Sequence, residues 1–310
     1  MTHNQQLSII VPCYNEEETV ALFVAETDRQ TVDLPLELVY YFIDDGSSDG
    51  TLEAIKELSR QHPRIKYLSF SRNFGKEAAL LAGLQAAKGD FIAVMDADLQ
   101  DPPELLKQMY DEIQKGYDIV GARRTNRKSE PPIRSFFAKQ FYKLINQISE
   151  TEMVDGVRDF RMMTRQVVDA VLSLEEVNRF SKGLFSWVGF KTSYISYENR
   201  ERVAGTTSWH FWGLVKYSIE GIVNFSETPL NIATFIGFIT FIGSIFLGLF
   251  YVIKAFAIGD PVPGFPTLIT ILLFFGGLQL FCLGILGKYI AKIFLESKRR
   301  PVYIVREKNV

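Results

Sequence analysis

The sequence predicts an α/β protein whose doubly wound, mostly parallel sheet is followed by two membrane-spanning helices. In the amino-terminal part of the chain, short apolar runs of strand length alternate with longer stretches of helical periodicity. Acidic residues directly follow two of these runs, as expected where ligands bind at the carboxyl ends of parallel strands. Near the carboxyl end, two long stretches contain no charged residue.

The predicted strands and helices follow one another in an order typical of a parallel sheet. Apolar runs that predict strands lie at residues 7–11, 36–43, 65–70, 91–95 and 118–121. The clearest helical patterns between them lie at residues 77–87 and 105–115. Because parallel strands are joined by crossover helices, we expect the carboxyl ends of these strands to share one edge of the sheet.

The most informative segment is Asp96-Ala97-Asp98-Leu99-Gln100, which directly follows the apolar run 91–95. Its two carboxylates and one amide are hard oxygen donors, which suit a divalent cation that holds a diphosphate. An alternative interpretation is a helix start, with Asp101 as the N-cap and a proline at the first helical position. Capping explains only Asp101, so the two interpretations are compatible.

Four ordered motifs carry a resemblance to a known family. They are Pro12-Cys13-Tyr14-Asn15-Glu16, Asp44-Asp45-Gly46-Ser47-Ser48-Asp49, Arg72-Asn73-Phe74-Gly75-Lys76 and Asp96-Ala97-Asp98-Leu99-Gln100-Asp101-Pro102. Together they resemble a family 2 glycosyltransferase with the nucleotide-sugar-binding GT-A fold. The resemblance covers nearly the whole chain and is greatest to the branch that glycosylates polyisoprenyl phosphates, which includes bactoprenol glucosyltransferases and dolichyl-phosphate mannose synthases.

This resemblance implies roles for particular residues. The nucleotide-sugar site would include Pro12, Tyr14, Glu16, Asp44, Asp45, Lys76 and Asp96. A Mg²⁺ or Mn²⁺ ion would be held by Asp96, Asp98 and Gln100. The catalytic residues would be Asp98, Asp159 and Arg123. Asp159 is included because a similar Asp-Phe-Arg segment borders the acceptor site in this branch; a structural pairing of Asp159 with Arg161 is the alternative.

A basic segment at residues 123–134 follows the predicted strand 118–121 and therefore overhangs the same sheet edge. Its arginines are expected to bind the phosphate of the acceptor, together with Arg202 in a loop that resembles one of the family. The expected acceptor-phosphate residues are thus Arg123, Arg124, Arg127, Arg134 and Arg202. A solvated loop is the alternative for the segment. The second loop departs from the family at Ser208 and Trp209, where many members have a lysine and a tyrosine.

The uncharged stretches 230–253 and 261–287 each exceed the roughly 20 residues that cross a bilayer. Basic residues cluster after the second stretch, so the positive-inside rule predicts both termini and the catalytic domain in the cytoplasm. Buried core helices are the alternative. The expected organisation is a catalytic domain at 1–208, an amphipathic interfacial helix at 209–228, a transmembrane hairpin at 229–295 and a basic cytoplasmic tail at 296–310.

Composition excludes several other classes. A net charge of −2 argues against a nucleic-acid partner, and three scattered histidines argue against a zinc site. The two cysteines predict no disulfide framework.

The expected function is metal-dependent transfer, with inversion, of a sugar from UDP-glucose or a related UDP-hexose to undecaprenyl (bactoprenol) phosphate. The expected location is the bacterial inner membrane, as a multi-pass protein in contact with the lipid bilayer. Further candidate partners are a lipid-sugar flippase and a second copy of the chain. The alternatives are a processive polysaccharide synthase, whose Gln-x-x-Arg-Trp element is absent here, and a non-catalytic nucleotide-sugar-binding scaffold.

Overall fold

The computed structural model describes residues 5–124, 156–197, 226, 228–258 and 264–310. Strands in these ranges form one sheet. They are β1 (Gln6–Cys13), β2 (Glu37–Asp44), β3 (Ile65–Phe70), β4 (Phe91–Val94), β5 (Ile119–Arg124), β6 (Val157–Thr164), β7 (Thr192–Tyr197) and β8 (Val305–Lys308). Their order in the sheet is β7-β5-β6-β4-β1-β2-β3-β8.

The pairing of the strands confirms the predicted doubly wound, mostly parallel sheet. β1 pairs in parallel with β2 and β4, β2 with β3, and β5 with β7. Strand β6 runs antiparallel between β4 and β5, and β8 runs antiparallel along β3. β1 therefore lies between β2 on one side and β4 on the other. The connections that leave these strands run to opposite sides of β1, and the crevice between them is a topological switch point.

Helices cover both faces of the sheet. They are α1 (Val20–Gln30), α2 (Thr51–Gln61), α3 (Lys76–Ala86), α4 (Leu105–Gln114), α5 (Arg165–Leu172) and α6 (Ser181–Trp187). Side chains of α1, α2 and α4 pack on one face, and those of α3 and α5 pack on the other. Alternate residues of β1 follow this division, since Ile9 and Val11 belong to the first core and Ile10 to the second. A sheet covered on both faces explains why its strands read as continuous apolar runs.

Two long helices, α7 (Thr228–Ile258) and α8 (Phe265–Lys298), follow β7 along the chain. Segments Thr228–Leu247 and Phe274–Lys298 are long and apolar enough to cross a membrane, with mean hydropathies of 2.0 and 1.6. Neither segment is buried inside the protein, so they are not the core helices of the alternative interpretation. These helices match the predicted hairpin in position and support association with a membrane.

The carboxyl end differs from the predicted basic tail at 296–310. Helix α8 continues to Lys298, and Val305–Lys308 form the edge strand β8 beside β3. Val302, Tyr303 and Val305 pack against the core on the α3 face, and a 2.7 Å ion pair joins Lys56 to Glu307. The apolar side chains between the basic residues thus place this segment in the sheet. Nearly all of the predicted interfacial helix 209–228 lies outside the described residues.

Candidate active site

The loop after β1 carries three of the predicted nucleotide-binding residues. Pro12 is the second-last residue of β1, and Tyr14, just after the strand, is 49% exposed to solvent. Glu16 lies just before α1, where its carboxylate accepts a 2.7 Å hydrogen bond from the hydroxyl of Thr19. Tyr14 is therefore the member of this group whose ring is available to stack on a flat ligand such as a nucleobase.

Side-chain hydrogen bonds join this loop to the loop after β2. The carboxamide oxygen of Asn15 accepts a 2.9 Å bond from the backbone N–H of Ser48, and the Asn15 N–H donates to the hydroxyl of Ser47 at 3.0 Å. Asn15 has a positive φ of 57°, which is uncommon for a residue with a side chain. Glu17 accepts a 3.0 Å bond from the Gly50 N–H. The two loops consequently form one surface at the sheet edge.

Asp44 and Asp45, also predicted to bind the nucleotide, are buried and organise the loops. Asp44 accepts a 2.7 Å bond from the hydroxyl of Ser69. Asp45 accepts bonds from the backbone N–H groups of Phe74 at 2.6 Å and Gly75 at 2.9 Å. Burial raises the pKa of Asp45, and the two backbone hydrogen bonds lower it. Burial is the larger effect, so the pKa of Asp45 lies above its ordinary value. Asp45 thereby fixes the start of α3, which carries Lys76.

Lys76 bridges two carboxylates, that of Asp96 just after β4 and that of Asp159 in β6. Its Nζ lies 2.6 Å from Oδ1 of Asp96 and 2.6 Å from Oδ2 of Asp159. The antiparallel pairing of β4 with β6 explains the arrangement, because Val94 pairs with Arg161. Continuing this register by two residues brings Asp96 opposite Asp159. The structure therefore unites three of the predicted site residues in one charged cluster.

The charges of this cluster shift the ionisation of its members. Burial alone raises the pKa of Asp159, but the charge of Lys76 and then that of Lys182 outweigh it and hold this pKa well below its usual range. Lys182 contributes from α6, with Nζ 3.8 Å from Oδ1 of Asp159. Burial likewise lowers the pKa of Lys76, while Asp159 and Asp96 raise it above its ordinary value. At neutral pH the carboxylate of Asp159 is therefore ionised and the ammonium group of Lys76 is charged.

The predicted metal residues follow β4 in a tight turn. Asp98 is buried, and its Oδ1 accepts a 3.1 Å bond from the backbone N–H of Gln100. Between them Leu99 has a positive φ of 55°, a conformation that costs energy for a branched side chain. The carboxamide oxygen of Gln100 accepts a 2.9 Å bond from Arg158. Strain held in such a turn is typical of sites that orient ligands.

The donor set of this turn fits a divalent cation. Asp96 and Asp98 provide carboxylate oxygens, and Mg²⁺ is commonly bound by one or two carboxylates plus substrate phosphates. Oδ1 of Asp96 already contacts a cation, the ammonium of Lys76. Among the described residues, no group of three or more histidine, cysteine, aspartate or glutamate side chains forms a metal cluster. A divalent cation bound by Asp96 and Asp98 therefore needs further ligands from the substrate.

Asp101 does not cap a helix, contrary to the alternative interpretation of the sequence. Helix α4 begins at Leu105, with Glu104 in the N-cap position. Asp101 is buried, and its Oδ1 accepts hydrogen bonds from the phenol of Tyr197 and from Nε of Arg158 at 3.4 Å. Its Oδ2 is buried without a hydrogen-bond partner. Asp101 therefore joins the turn after β4 to β6 and β7.

The basic residues of the predicted acceptor site are only partly described. Arg123 and Arg124 are the last residues of β5, so they belong to a strand and not to the start of a loop. β5 runs in the same direction as β4, which places both arginines at the edge where the acidic cluster lies. Arg127, Arg134 and Arg202 lie outside the described residues. Arg123 and Arg124 thus lie at the sheet edge, and their role in binding the acceptor phosphate stays a prediction.

Sequence reasoning missed Arg158, Lys182 and Tyr197. Arg158 directly precedes Asp159, and this position was the one available signal for it. Lys182 and Tyr197 lie far along the chain in segments with no motif, and only the folding of α6 and β7 onto this edge brings them to the site.

Comparisons with known proteins show which family the chain belongs to. The model of Glycosyl transferase family 2 matches residues 8–172, which contain most of β1, all of β2 to β6, and the residues Lys76, Asp96 and Asp159. The chain is 42% identical over 305 residues to the bactoprenol glucosyl transferase of Shigella phage SfV, covering 98% of this chain and 99% of that protein. The chain belongs to glycosyl transferase family 2. The predicted resemblance, including its branch, is thus confirmed.

Two further relatives and one solved structure are also similar to this chain. The glycosyltransferase CsbB of Bacillus subtilis (strain 168) is 44% identical over 304 residues, covering 98% of this chain and 92% of that protein. A prophage bactoprenol glucosyl transferase homolog of Escherichia coli (strain K12) is 40% identical over 302 residues, covering 97% and 98%. The crystal structure of mannosyl-3-phosphoglycerate synthase from Rubrobacter xylanophilus aligns with a TM-score of 0.49 and 17% identity, over 70% of this chain and 72% of that chain.

Proposed function

We propose that this chain transfers a hexose from a UDP-hexose, with UDP-glucose as the first choice, to undecaprenyl phosphate at the cytoplasmic face of the bacterial inner membrane. The observation that carries the proposal is the cluster of Asp96, Lys76 and Asp159 at the switch point of the sheet. Ligands of doubly wound proteins bind at this position. The full-length similarity to bactoprenol glucosyl transferases supports the lipid acceptor and the glucosyl donor.

The donor binds across the carboxyl ends of β1, β2 and β4 in this proposal. Tyr14 stacks on the base, while the loops held by Asp44 and Asp45 surround the nucleoside. Lys76 is the first residue of α3, and its ammonium lies beside Asp96 at 2.6 Å. From there it can pair with a diphosphate oxygen, because a lysine ammonium is a mobile point charge with three donors.

Asp96, Asp98 and Gln100 hold a Mg²⁺ or Mn²⁺ ion in the same proposal. When bound, this ion stabilises the negative charge that grows on the departing nucleoside diphosphate. The remaining task of Asp98 is to keep the turn in shape through its bond from the Gln100 N–H. Arg158 bonds to the Gln100 carboxamide, which orients that oxygen.

Asp159 acts in this scheme by holding lysines and not by taking a proton. An effective general base has a pKa near the operating pH, whereas Lys76 and Lys182 overcome burial to hold the pKa of Asp159 well below its usual range. The acceptor requires no such base, because a phosphate monoester with a second pKa near 6 is already largely ionised at neutral pH. In this proposal the guanidinium groups of Arg123 and Arg124 pair with the negative charge of the acceptor phosphate.

A direct attack of the phosphate oxygen on the anomeric carbon breaks the bond to the diphosphate from the opposite side. An α-linked donor therefore gives a β-linked lipid sugar, and no enzyme nucleophile is needed. The position of the membrane helices supports such an acceptor. β8 begins opposite Phe70, the last residue of β3, so α8 joins the sheet at the edge where the active-site residues lie.

The experiment that tests the proposal is transfer of radiolabelled sugar to undecaprenyl phosphate by the full-length protein in lipid nanodiscs. A panel of UDP- and GDP-sugars identifies the donor, with MgCl₂, MnCl₂ or excess EDTA. We expect Asp96→Ala and Asp98→Ala to lose at least roughly a hundredfold in turnover, since such metal ions contribute several kcal/mol to the transition state. Asp90→Ala is the matched control, because Asp90 precedes β4 at the opposite sheet edge. Full activity of an Asp96 or Asp98 variant, or of wild type in EDTA, would contradict the metal assignment.

A further inference from the structure

A carboxylate of the membrane helix α8 is bonded to the catalytic domain. Oε1 of Glu296 accepts hydrogen bonds from the backbone N–H of Val177 at 3.0 Å, the N–H of Asn178 at 2.8 Å and the Asn178 side-chain amide at 2.9 Å. Lys292, one turn earlier, donates to the Asn178 carboxamide oxygen at 3.3 Å. Hydrogen bonds to a charged acceptor are stronger than neutral ones, so this contact fixes α8 to the loop.

That loop, the connector, comprises residues 173–180 between α5 and α6. Arg179 is only 8% exposed, and its guanidinium donates to the backbone oxygen of Leu174 at 2.6 Å and to that of Val171 at 3.2 Å. The arginine thus closes the connector on itself and joins it to the last turn of α5. Hydrogen bonds from a charged donor to two backbone oxygens restrain the connector relative to α5.

The other end of the connector meets the charged cluster. The Ser181 N–H donates to Oε2 of Glu77 at 2.9 Å, and Glu77 is the neighbour of Lys76 on α3. The next residue, Lys182, places its Nζ 3.8 Å from Asp159. Asn178 is bonded to α8, and Lys182, which contacts Asp159 of the charged cluster, lies four positions later in the chain.

We propose that Glu296 is a positioning residue that sets, through the connector, the place of Lys182 and Glu77 relative to the cluster of Asp159 and Lys76. The inference rests on the proposed transferase function. Its physical basis is that transfer between two substrates depends on alignment, so a displacement of about 1 Å costs up to roughly a hundredfold in rate. The membrane helix thereby controls the geometry of the charged cluster.

The test compares Glu296→Ala and Glu296→Gln with Glu307→Ala in nanodiscs, with UDP-glucose and undecaprenyl phosphate varied separately. We expect Glu296→Ala to lower kcat by roughly ten- to a hundredfold while the KM for UDP-glucose changes less than about twofold. Glu296→Gln keeps one acceptor oxygen and should recover part of this loss. Glu307→Ala removes an ion pair on β8, away from the connector, and should match wild type. An effect of Glu296→Ala no larger than that of Glu307→Ala would overturn the inference.

A double variant tests the route of the effect. If Glu296 acts through Lys182, adding Glu296→Ala to Lys182→Met should lower kcat little beyond Lys182→Met alone. Multiplied effects of the two substitutions would show independent action and would refute the route. Hydrogen exchange at the Val177 and Asn178 amides should accelerate in Glu296→Ala, and unchanged exchange would contradict the contact without reference to activity. Absence of transfer by wild type from any sugar nucleotide would refute the proposed function instead.

Discussion

Replacing Lys76 by methionine removes the cation that lies between two carboxylates. Because Asp96 and Asp159 each contact the same Nζ at 2.6 Å, their nearest oxygens are at most about 5 Å apart, twice that distance. Two negative charges about 5 Å apart repel by about 3 kcal/mol at an effective dielectric constant near 20. The side chains are 40%, 28% and 25% exposed, so screening by water reduces the expected loss of unfolding free energy to about 1–2 kcal/mol.

The loss should depend on pH with a definite sign. In wild type, burial raises the pKa of Asp159, but Lys76 and Lys182 outweigh it and depress this pKa. A depressed carboxyl pKa adds stability above the unfolded-state value of about 3.9, and the added stability disappears as pH falls towards the folded-state value. Lys76→Met raises the pKa of Asp159 in the folded state. The difference in stability between wild type and variant should therefore be full above about pH 5 and shrink below about pH 4.

The assay is thermal unfolding of the full chain in nanodiscs, followed by tryptophan fluorescence. A loss of about 1–2 kcal/mol corresponds to a fall in Tm of roughly 2–8 °C for a domain of this size. Lys76→Met with Asp159→Asn should regain most of the loss, because one of the two repelling charges is gone. MnCl₂ should raise the Tm of Lys76→Met more than NaCl of equal ionic strength. A Tm of Lys76→Met equal to wild type, or no recovery in the double variant, would refute the reasoning.

Three further predictions concern other parts of the molecule. Tyr197→Phe removes the phenol that donates to Asp101 and should lower the free energy of unfolding by about 1–2 kcal/mol, measured by the same thermal assay. A tag at Val310 should react only when the cytoplasmic face is open, whereas a cysteine introduced at Gly259 should react from outside; reversed labelling would contradict the topology. Arg123→Ala should raise the KM for undecaprenyl phosphate by roughly ten- to a hundredfold and that for the sugar nucleotide far less, and equal effects would remove Arg123 from the acceptor site.

The sheet and the position of its acidic edge could be predicted because they depend on local patterns. Apolar runs and helical periodicity identify β1 to β4 and their crossovers, and parallel strands necessarily bring Asp44 and Asp96 to one edge. The approach of Asp96 and Asp159 to the same ammonium group depends instead on β6 entering the sheet in the reverse direction. No periodicity in the sequence encodes the direction of that strand.

The carboxyl end was misassigned for a related reason. The prediction of a basic tail at residues 296–310 used only the number of basic residues. It gave no weight to the apolar side chains of Val302 and Val305 in the same segment. Their role becomes visible only when β3 offers an open edge to pair with. A short strand that completes an edge gains most of its stability from the partner sheet, so its own sequence carries little signal.

The two attachments of α8 have a joint consequence for catalysis at a lipid surface. Glu296 holds the helix to the connector, and the chain passes through residues 299–304 into β8, which is paired with β3. The end of α8 is thus attached to the protein at two places, the connector and strand β3. A polyprenyl phosphate keeps its hydrocarbon chain in the bilayer, so its phosphate cannot travel far from the membrane surface. If the chain has the proposed function, attachment at two points holds the active site at a constant distance from that surface, which a single flexible linker would not do.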